Sequence, residues 1–195
     1  ERAGDVIPHI LSVDIKKRSN ESSKFIFPQN CPSCGSKTIK ELNIITKKKD
    51  AVRRCISEGY ECEKIAIEKL KHFVSKDAFN IEGFGKKIVE NFWNLKLIKL
   101  PQDIFRLDFG KIESMEGWGK QSVENLRYSI NEKKNINLEK FIYSLGIRHI
   151  GLENAKILSK HFTSFSKFKL LSKNNKYDDL LNIDGIGETQ INSIK

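Results

Sequence analysis

At 195 residues the chain is long enough for one large domain or several small ones. Its hydrophobic content of 38% supports compact cores, while no apolar run approaches the ~18 residues of a membrane span and no signal-peptide pattern opens it. Lys and Arg outnumber Asp and Glu 35 to 25, and the excess is spread: 5 against 4 in residues 1–30, 8 against 5 in 31–66, 22 against 16 in 67–195. A spread excess fits a surface that follows a polyanion over some distance. The abundance of Lys, Asn and Ile expected from an A+T-rich genome gives the same count, so charge needs a motif beside it. The chain opens Glu1-Arg2-Ala3-Gly4 without an initiator Met, which reads as a fragment or a processed product.

All four cysteines fall in one window: Cys31, Cys34, Cys55 and Cys62. In Cys31-Pro32-Ser33-Cys34-Gly35 a two-residue gap lets both thiolates reach one ion, and the glycine permits a tight turn beneath it. Between the pairs, Thr38-Ile39 and Leu42-Asn43-Ile44-Ile45-Thr46 are β-prone and are followed by the basic run Lys47-Lys48-Lys49, the pattern of a small hairpin carrying metal loops. The second pair, Cys55 and Cys62, is looser and must bulge to close. Two disulfides are the competing reading, suited to an oxidising compartment to which nothing here points. Zinc is the expected metal, with iron its main competitor. Four protein ligands leave no open position, so the site is expected to be structural and to spend its binding energy on folding.

The remainder is helical by pattern and repeats itself. Ile81-Glu82-Gly83-Phe84-Gly85-Lys86, Met115-Glu116-Gly117-Trp118-Gly119-Lys120, Ile147-Arg148-His149-Ile150-Gly151-Leu152 and Ile183-Asp184-Gly185-Ile186-Gly187-Glu188 share one form. Their third positions are 34, 32 and 36 residues apart, a period of stacked supersecondary units. Each motif leads into a segment with apolar residues three or four apart, as a helix with one buried face requires. In such a hairpin the apolar middle residue turns inward and pins two helices. Both glycines are expected to take conformations other residues resist and to present bare backbone. Amides opening the second helix then meet a phosphate oxygen with help from the helix dipole.

The expected nucleic-acid contacts are therefore Gly83, Gly85 and Lys86; Gly117, Gly119 and Lys120; Arg148, His149 and Gly151; and Gly185 and Gly187. His149 stands where the third unit should carry a glycine, and Arg148 is the compensating charge. A helical array whose glycines only make corners is the plain alternative. Two units about a pseudo-twofold would place phosphate sites on opposite strands across a minor groove, and four would extend this along the duplex. Such binding tolerates sequence and depends on salt.

A Cys-Pro-x-Cys-Gly finger feeding into four helix-hairpin-helix units resembles bacterial NAD-dependent DNA ligase. Arg2-Ala3-Gly4-Asp5-Val6-Ile7-Pro8 resembles the end of that family's OB domain. His72-Phe73-Val74-Ser75 with Asp77-Ala78-Phe79-Asn80-Ile81-Glu82-Gly83 resembles the junction of finger and repeats. Leu145-Gly146-Ile147-Arg148-His149-Ile150-Gly151 resembles the third repeat, which makes His149 a family feature. The resemblance covers essentially the whole chain. Departures are the longer gap between Cys55 and Cys62, and Glu63-Lys64-Ile65 where Pro-Ala-Gln is common.

The resemblance implies a mainly α chain: the end of an OB domain over 1–27, a small β zinc finger with four cysteine ligands over 28–66, and a helix-hairpin-helix domain with four motifs over 67–195. It implies a role in sealing nicks in duplex DNA during replication and repair, in the cytoplasm of a bacterium, as a monomer without membrane contact. The family carries AMP from NAD on a lysine of a Lys-x-Asp-Gly motif. Here the nearest sequence is Asn182-Ile183-Asp184-Gly185, part of a hairpin. The segment is thus expected to clamp DNA and not to be catalytic alone, with NAD and Mg2+ bound outside it and Zn2+ within it. The finger would be a rigid joint with little DNA contact of its own. Other classes considered are an accessory region of a repair nuclease or helicase, a protein-interaction scaffold, and a metalloenzyme. The last is disfavoured because His9, His72, His149 and His161 are scattered, and His72 reads as a packed or capping residue.

Overall fold

The computed structural model of the chain describes residues 2–3, 7–8, 10–42, 46–174 and 177–195. At the N-terminus β1 (Arg2–Ala3) pairs antiparallel with β2 (Ile7–Pro8), and a 3-10 turn follows at Ile15–Lys17. Over the span expected to end an OB domain the described residues form only this two-residue ladder and turn, and residues 10–30 are all exposed.

The finger is a short hairpin. β3 (Thr38–Ile39) pairs antiparallel with β4 (Arg54–Cys55), and an isolated bridge joins Leu42 to Lys49. Thr38-Ile39 therefore finds its partner beyond the basic run, which lies toward the far end of the hairpin. The β-prone residues 43–45 lie outside the described residues. The Arg53 guanidinium closes the hairpin by donating to Thr38 Oγ1 (2.9 Å) and to the Thr38 carbonyl (2.7 Å).

Eight α-helices complete the described residues: α1 (Glu63–Val74), α2 (Lys86–Asn94), α3 (Phe109–Glu113), α4 (Lys120–Glu132), α5 (Leu138–Ser144), α6 (Leu152–Phe162), α7 (Phe165–Asn174) and α8 (Glu188–Ile194). The longest bury one face at helical spacing. Ala66, Ile67, Leu70, Phe73 and Val74 line one face of α1, Val123, Leu126 and Ile130 one face of α4, and Ala155, Leu158 and Phe162 one face of α6. Local chemistry sets the starts. Asp108 Oδ1 accepts from the Lys111 amide at 3.2 Å to open α3, and Ser164 Oγ accepts from the Lys167 amide at 3.3 Å near the start of α7. Pro101 opens a 3-10 turn to Arg106, fixed by Asp103 Oδ2 accepting from the amides of Lys99 and Leu100.

The four repeats pair. One apolar core, centred on Leu70, Phe84, Phe92, Ile104, Ile112 and Leu126, joins α1 through α4 and so the first two units. A second, centred on Ile142, Leu158, Leu180 and Ile191, joins α5 through α8 and the last two. Unit four departs from the helical pattern, because its first element is the 3-10 turn Asp178–Asn182, preceded by the additional helix α7. The halves meet where α1 packs on α5. Among the described residues no helix is long and apolar enough to cross a membrane.

Candidate nucleic-acid interface and cysteine cluster

The four hairpins have one backbone geometry. In each, the amide of the middle apolar residue donates to the carbonyl three residues earlier: Phe84 to Ile81 (3.2 Å), Trp118 to Met115 (3.2 Å), Ile150 to Ile147 (3.0 Å) and Ile186 to Ile183 (3.0 Å). The residue inside each turn is left-handed, with φ of +76° at Gly83, +81° at Gly117, +63° at His149 and +85° at Gly185. A turn with this sign at its third position is of type II, which selects glycine. His149 adopts the same conformation, and its carbonyl accepts from Asn154 Nδ2 at 3.0 Å. Phe84, Ile150 and Ile186 are buried as expected, whereas Trp118 is half-buried against Phe92, ring centroids 5.5 Å apart.

The second glycine of each motif behaves differently. Gly85, Gly119, Gly151 and Gly187 cap α2, α4, α6 and α8 with ordinary extended backbone, φ between −72° and −111°. The expectation that both glycines take resisted conformations holds only for the first, because the turn ends before the second. A Cβ would meet nothing within 4 Å at Gly85 or Gly151, Ser122 Oγ at 3.9 Å at Gly119, and Gln190 Oε1 at 3.4 Å at Gly187. The chain itself leaves room there for a side chain. A requirement for glycine would have to come from outside it.

At each cap the glycine carbonyl accepts the first helical bond, from Val89, Val123, Ala155 and Ile191. Apart from the Ile88 amide, which also donates to the Gly85 carbonyl at 3.0 Å, the amides before these residues have no carbonyl of their own helix to meet, and the dipole adds positive charge. Ser122 Oγ accepts from the Gly119 amide and Gln190 Oε1 from the Gly187 amide, each at 3.2 Å. Side-chain charge divides the units. Lys86 and Lys120 stand exposed at the first helical position, and Lys87, which the motif alone does not mark, stands exposed beside Lys86. In units three and four the corresponding turns carry Glu153 and Glu188 instead.

Arg148 is engaged elsewhere. Its guanidinium donates to the Glu41 carboxylate of the finger, 107 residues away in sequence. That hydrogen bond, more than the Coulomb attraction, holds the Glu41 carboxyl below its usual range and pushes Arg148 up. The side chain expected to compensate for His149 thus ties the third hairpin to the finger.

The cysteine cluster forms from four separate local causes. Gly35, left-handed at φ +75°, lets its amide return to the Cys31 carbonyl (2.8 Å), and the Cys31 amide donates to Ser36 O (2.7 Å), bringing Cys31 and Cys34 together. Cys55 stands on β4. Cys62 caps α1, its carbonyl accepting from Ala66 at 2.8 Å. The long second gap closes through a turn in which the Glu61 amide donates to Glu58 O across left-handed Gly59.

All four Sγ atoms lie within 4.8 Å of one another, with Cys34 and Cys55 at 3.5 Å and Cys31 and Cys62 at 3.9 Å. Tetrahedral coordination at about 2.3 Å per Zn–S bond requires sulfurs about 3.8 Å apart, so the cluster could hold a metal ion such as zinc. The hydroxyl of Ser36 and then that of Ser57 favour the Cys34 thiolate, lowering its pKa to about 5, the charge state a metal ligand needs. The Ser57 amide also faces Cys55 Sγ at 3.4 Å.

Fold and site together define a helix-hairpin-helix chain with a four-cysteine cluster. The family description "Helix-hairpin-helix motif" matches residues 140–195, which hold the third and fourth hairpins. Along its whole length the chain is 71% identical to a DNA ligase of Pelagibacter ubique, of which it covers 29%. It is 46% identical over 200 aligned positions to a DNA ligase of Rickettsia canadensis, with 96% of the chain and 28% of that protein covered. To a DNA ligase of Ehrlichia canis it is 45% identical, with 100% and 29% covered. Over its length the chain is similar to these DNA ligases, and it spans under a third of the length of these relatives.

Proposed function

We propose that the chain is the DNA-clamping segment of an NAD-dependent DNA ligase, gripping nicked duplex DNA by its phosphates without reading sequence. The observation that carries this reading is the hairpin geometry repeated four times: a left-handed turn followed by an extended glycine cap where a Cβ would meet nothing closer than 3.4 Å. Each cap offers backbone amides and room for a phosphate oxygen. The lysines of the first two units strengthen that pair, so these hairpins carry the larger share of the grip. Relatives named DNA ligase along the whole chain favour this reading over an accessory region of a nuclease or helicase.

The four cysteines hold zinc as a structural ion, joining the hairpin of the finger to the first turn of α1 and supplying no open coordination position. The chain's own part in ligation is to bind and orient the nick. The lysine that carries AMP, and the sites for NAD and Mg2+, belong to other parts of the parent enzyme. The segment works as a monomer in the bacterial cytoplasm, in replication and repair.

A salt titration of binding to a nicked duplex, beside a duplex of unrelated sequence, tests this reading. The expected result is equal affinity for both and a log–log slope of about −0.9 per phosphate contact. Absence of binding at low salt, or a strong sequence preference, overturns it.

A further inference from the structure

The hairpin of the finger concentrates positive charge. Residues 37–54 hold seven Lys and Arg against two carboxylates, Glu41 and Asp50, a surplus of five where the whole chain has +10. Neither carboxylate is left to offset the lysines. Asp50 Oδ2 accepts from Arg54 Nη1 at 2.7 Å, and Glu41 is taken by Arg148. Lys40, Lys47, Lys48 and Lys49 are all exposed, and among the described residues none of them enters an ion pair. Like charges held this close repel one another, and a polyanion laid across them relieves the repulsion.

The same hairpin is docked on the third repeat. Glu41 reaches Arg148, which immediately precedes the left-handed turn residue His149 and lies close in sequence to the cap at Gly151. The Asp50 amide donates to the Glu41 carbonyl at 2.7 Å, and Leu42 pairs with Lys49. The basic run thus leaves the ladder next to the docked residue. Paired residues share a face and neighbours alternate, so Lys49 lies on the face opposite Glu41, open to a ligand.

The third repeat is short of the charge that this hairpin brings. Leu152 stands at its first helical position, where the first two units carry Lys86 and Lys120. In the same helix Lys156 is paired with Glu153 at 2.7 Å, and Arg148 is engaged by Glu41. The cap at Gly151 therefore offers backbone amides without a free side-chain cation in its first turn.

We propose, on the reading of the chain as a DNA clamp, that the finger hairpin is a further phosphate-binding element. Lys47, Lys48 and Lys49, with Lys40, meet the duplex backbone beside the third hairpin and supply the charge that its cap lacks. Arg148 serves this contact by holding the finger in place. The finger is then more than the rigid joint expected from the resemblance. Lysine ammonium groups on flexible stems meet phosphates as point charges, so the contact adds grip and salt dependence without base preference.

The test is fluorescence anisotropy of a labelled nicked duplex titrated with the 195-residue chain at several salt concentrations. The K47Q/K48Q/K49Q variant changes only exposed side chains, and thermal denaturation checks that it keeps its fold. Its log–log slope should be shallower than the parent's by about 2–3, at about 0.9 per phosphate contact, and its affinity at ~0.1 M salt about tenfold weaker. The K16Q/K17Q/K24Q variant makes the same charge change at exposed lysines outside the finger and should keep the parent's slope. Equal slopes for parent and finger variant overturn the finger contact, while salt-dependent binding by the parent leaves the clamp standing. Equal losses in both variants also overturn it, because net charge alone then accounts for them. Absence of binding by the parent at low salt overturns both readings.

Discussion

His72 on α1 and Tyr143 on α5 are joined twice: Nε2 lies 2.8 Å from the Tyr143 carbonyl oxygen, and the two rings meet edge-on with centroids 4.6 Å apart. A carbonyl only accepts, so Nε2 carries the hydrogen. A Cβ at Gly146 would come within 3.3 Å of the same imidazole, at a backbone φ of +61° that also favours glycine. This small contact bridges the two apolar cores. Replacing His72 with Ala should cost about 1–2 kcal/mol, the sum of one hydrogen bond and one ring contact. Equilibrium denaturation with hydrogen exchange checks it: the amides of α1 and α5 should lose protection first. Unchanged protection there would mean that the halves are held by other contacts.

The second tie between distant parts is pH-dependent. Glu41 has its carboxyl lowered by the hydrogen bond from Arg148, so the pair stabilises the fold fully above the unfolded carboxylate value of 4.5 and is lost as pH falls through the lower folded value. Both side chains are a third or more exposed, which limits the contribution to under about 1 kcal/mol. E41Q should therefore leave overall stability nearly unchanged at neutral pH. It should loosen the finger against the third hairpin, and the parent protein should show the same loosening in acid. Proton NMR of the Arg148 guanidinium reads this directly. If R148A weakens DNA binding and E41Q does not, the guanidinium also serves the duplex.

Turns and metal loops were legible in the sequence because each demands a residue type at a fixed offset. Gly83, Gly117 and Gly185 are required by a left-handed backbone, and Cys31-Pro32-Ser33-Cys34-Gly35 by the turn at Gly35 that brings two thiols together. His149 marks the limit of that logic, since a non-glycine holds the same conformation at some cost in strain. The second glycine misleads for the opposite reason: its backbone is ordinary, so no local rule explains it. Pairings across the chain left no trace in spacing. Glu41 with Arg148 and His72 with Tyr143 are brought together by the packing of whole units, as is the division into two cores. The 3-10 turn at Asp178–Asn182 escapes a helical template because it is too short to display a period.

Metal removal should act locally. The thiolates close a hairpin whose described residues are all at least partly exposed, so C31A should release the ion and free the segment from Gln29 to Cys62. The repeats bury their own cores and should stay helical. Zinc content by mass spectrometry should fall while the far-ultraviolet circular dichroism of the helices changes little. Collapse of the helical signal would show instead that the cap of α1 at Cys62 transmits the finger's order into the first core.

The two glycines of a hairpin make opposite predictions, and this separates fold from binding. At Gly117 the left-handed φ of +81° makes alanine strained although space is open, so G117A should lower stability by about 1–2 kcal/mol. Gly185 should suffer more, because a Cβ there would also meet Ile157 Cδ1 at 2.9 Å. At Gly85 and Gly119 the backbone is extended and a side chain fits, so G85V and G119V should fold with a loss below about 1 kcal/mol, the range of a helix cap change. Each should nonetheless weaken binding to nicked duplex about tenfold or more, since a branched side chain would displace a phosphate held by charge-assisted bonds. Thermal denaturation and fluorescence anisotropy on the same preparations separate the two effects. Full DNA affinity in both valine variants would reduce these hairpins to corners of the fold.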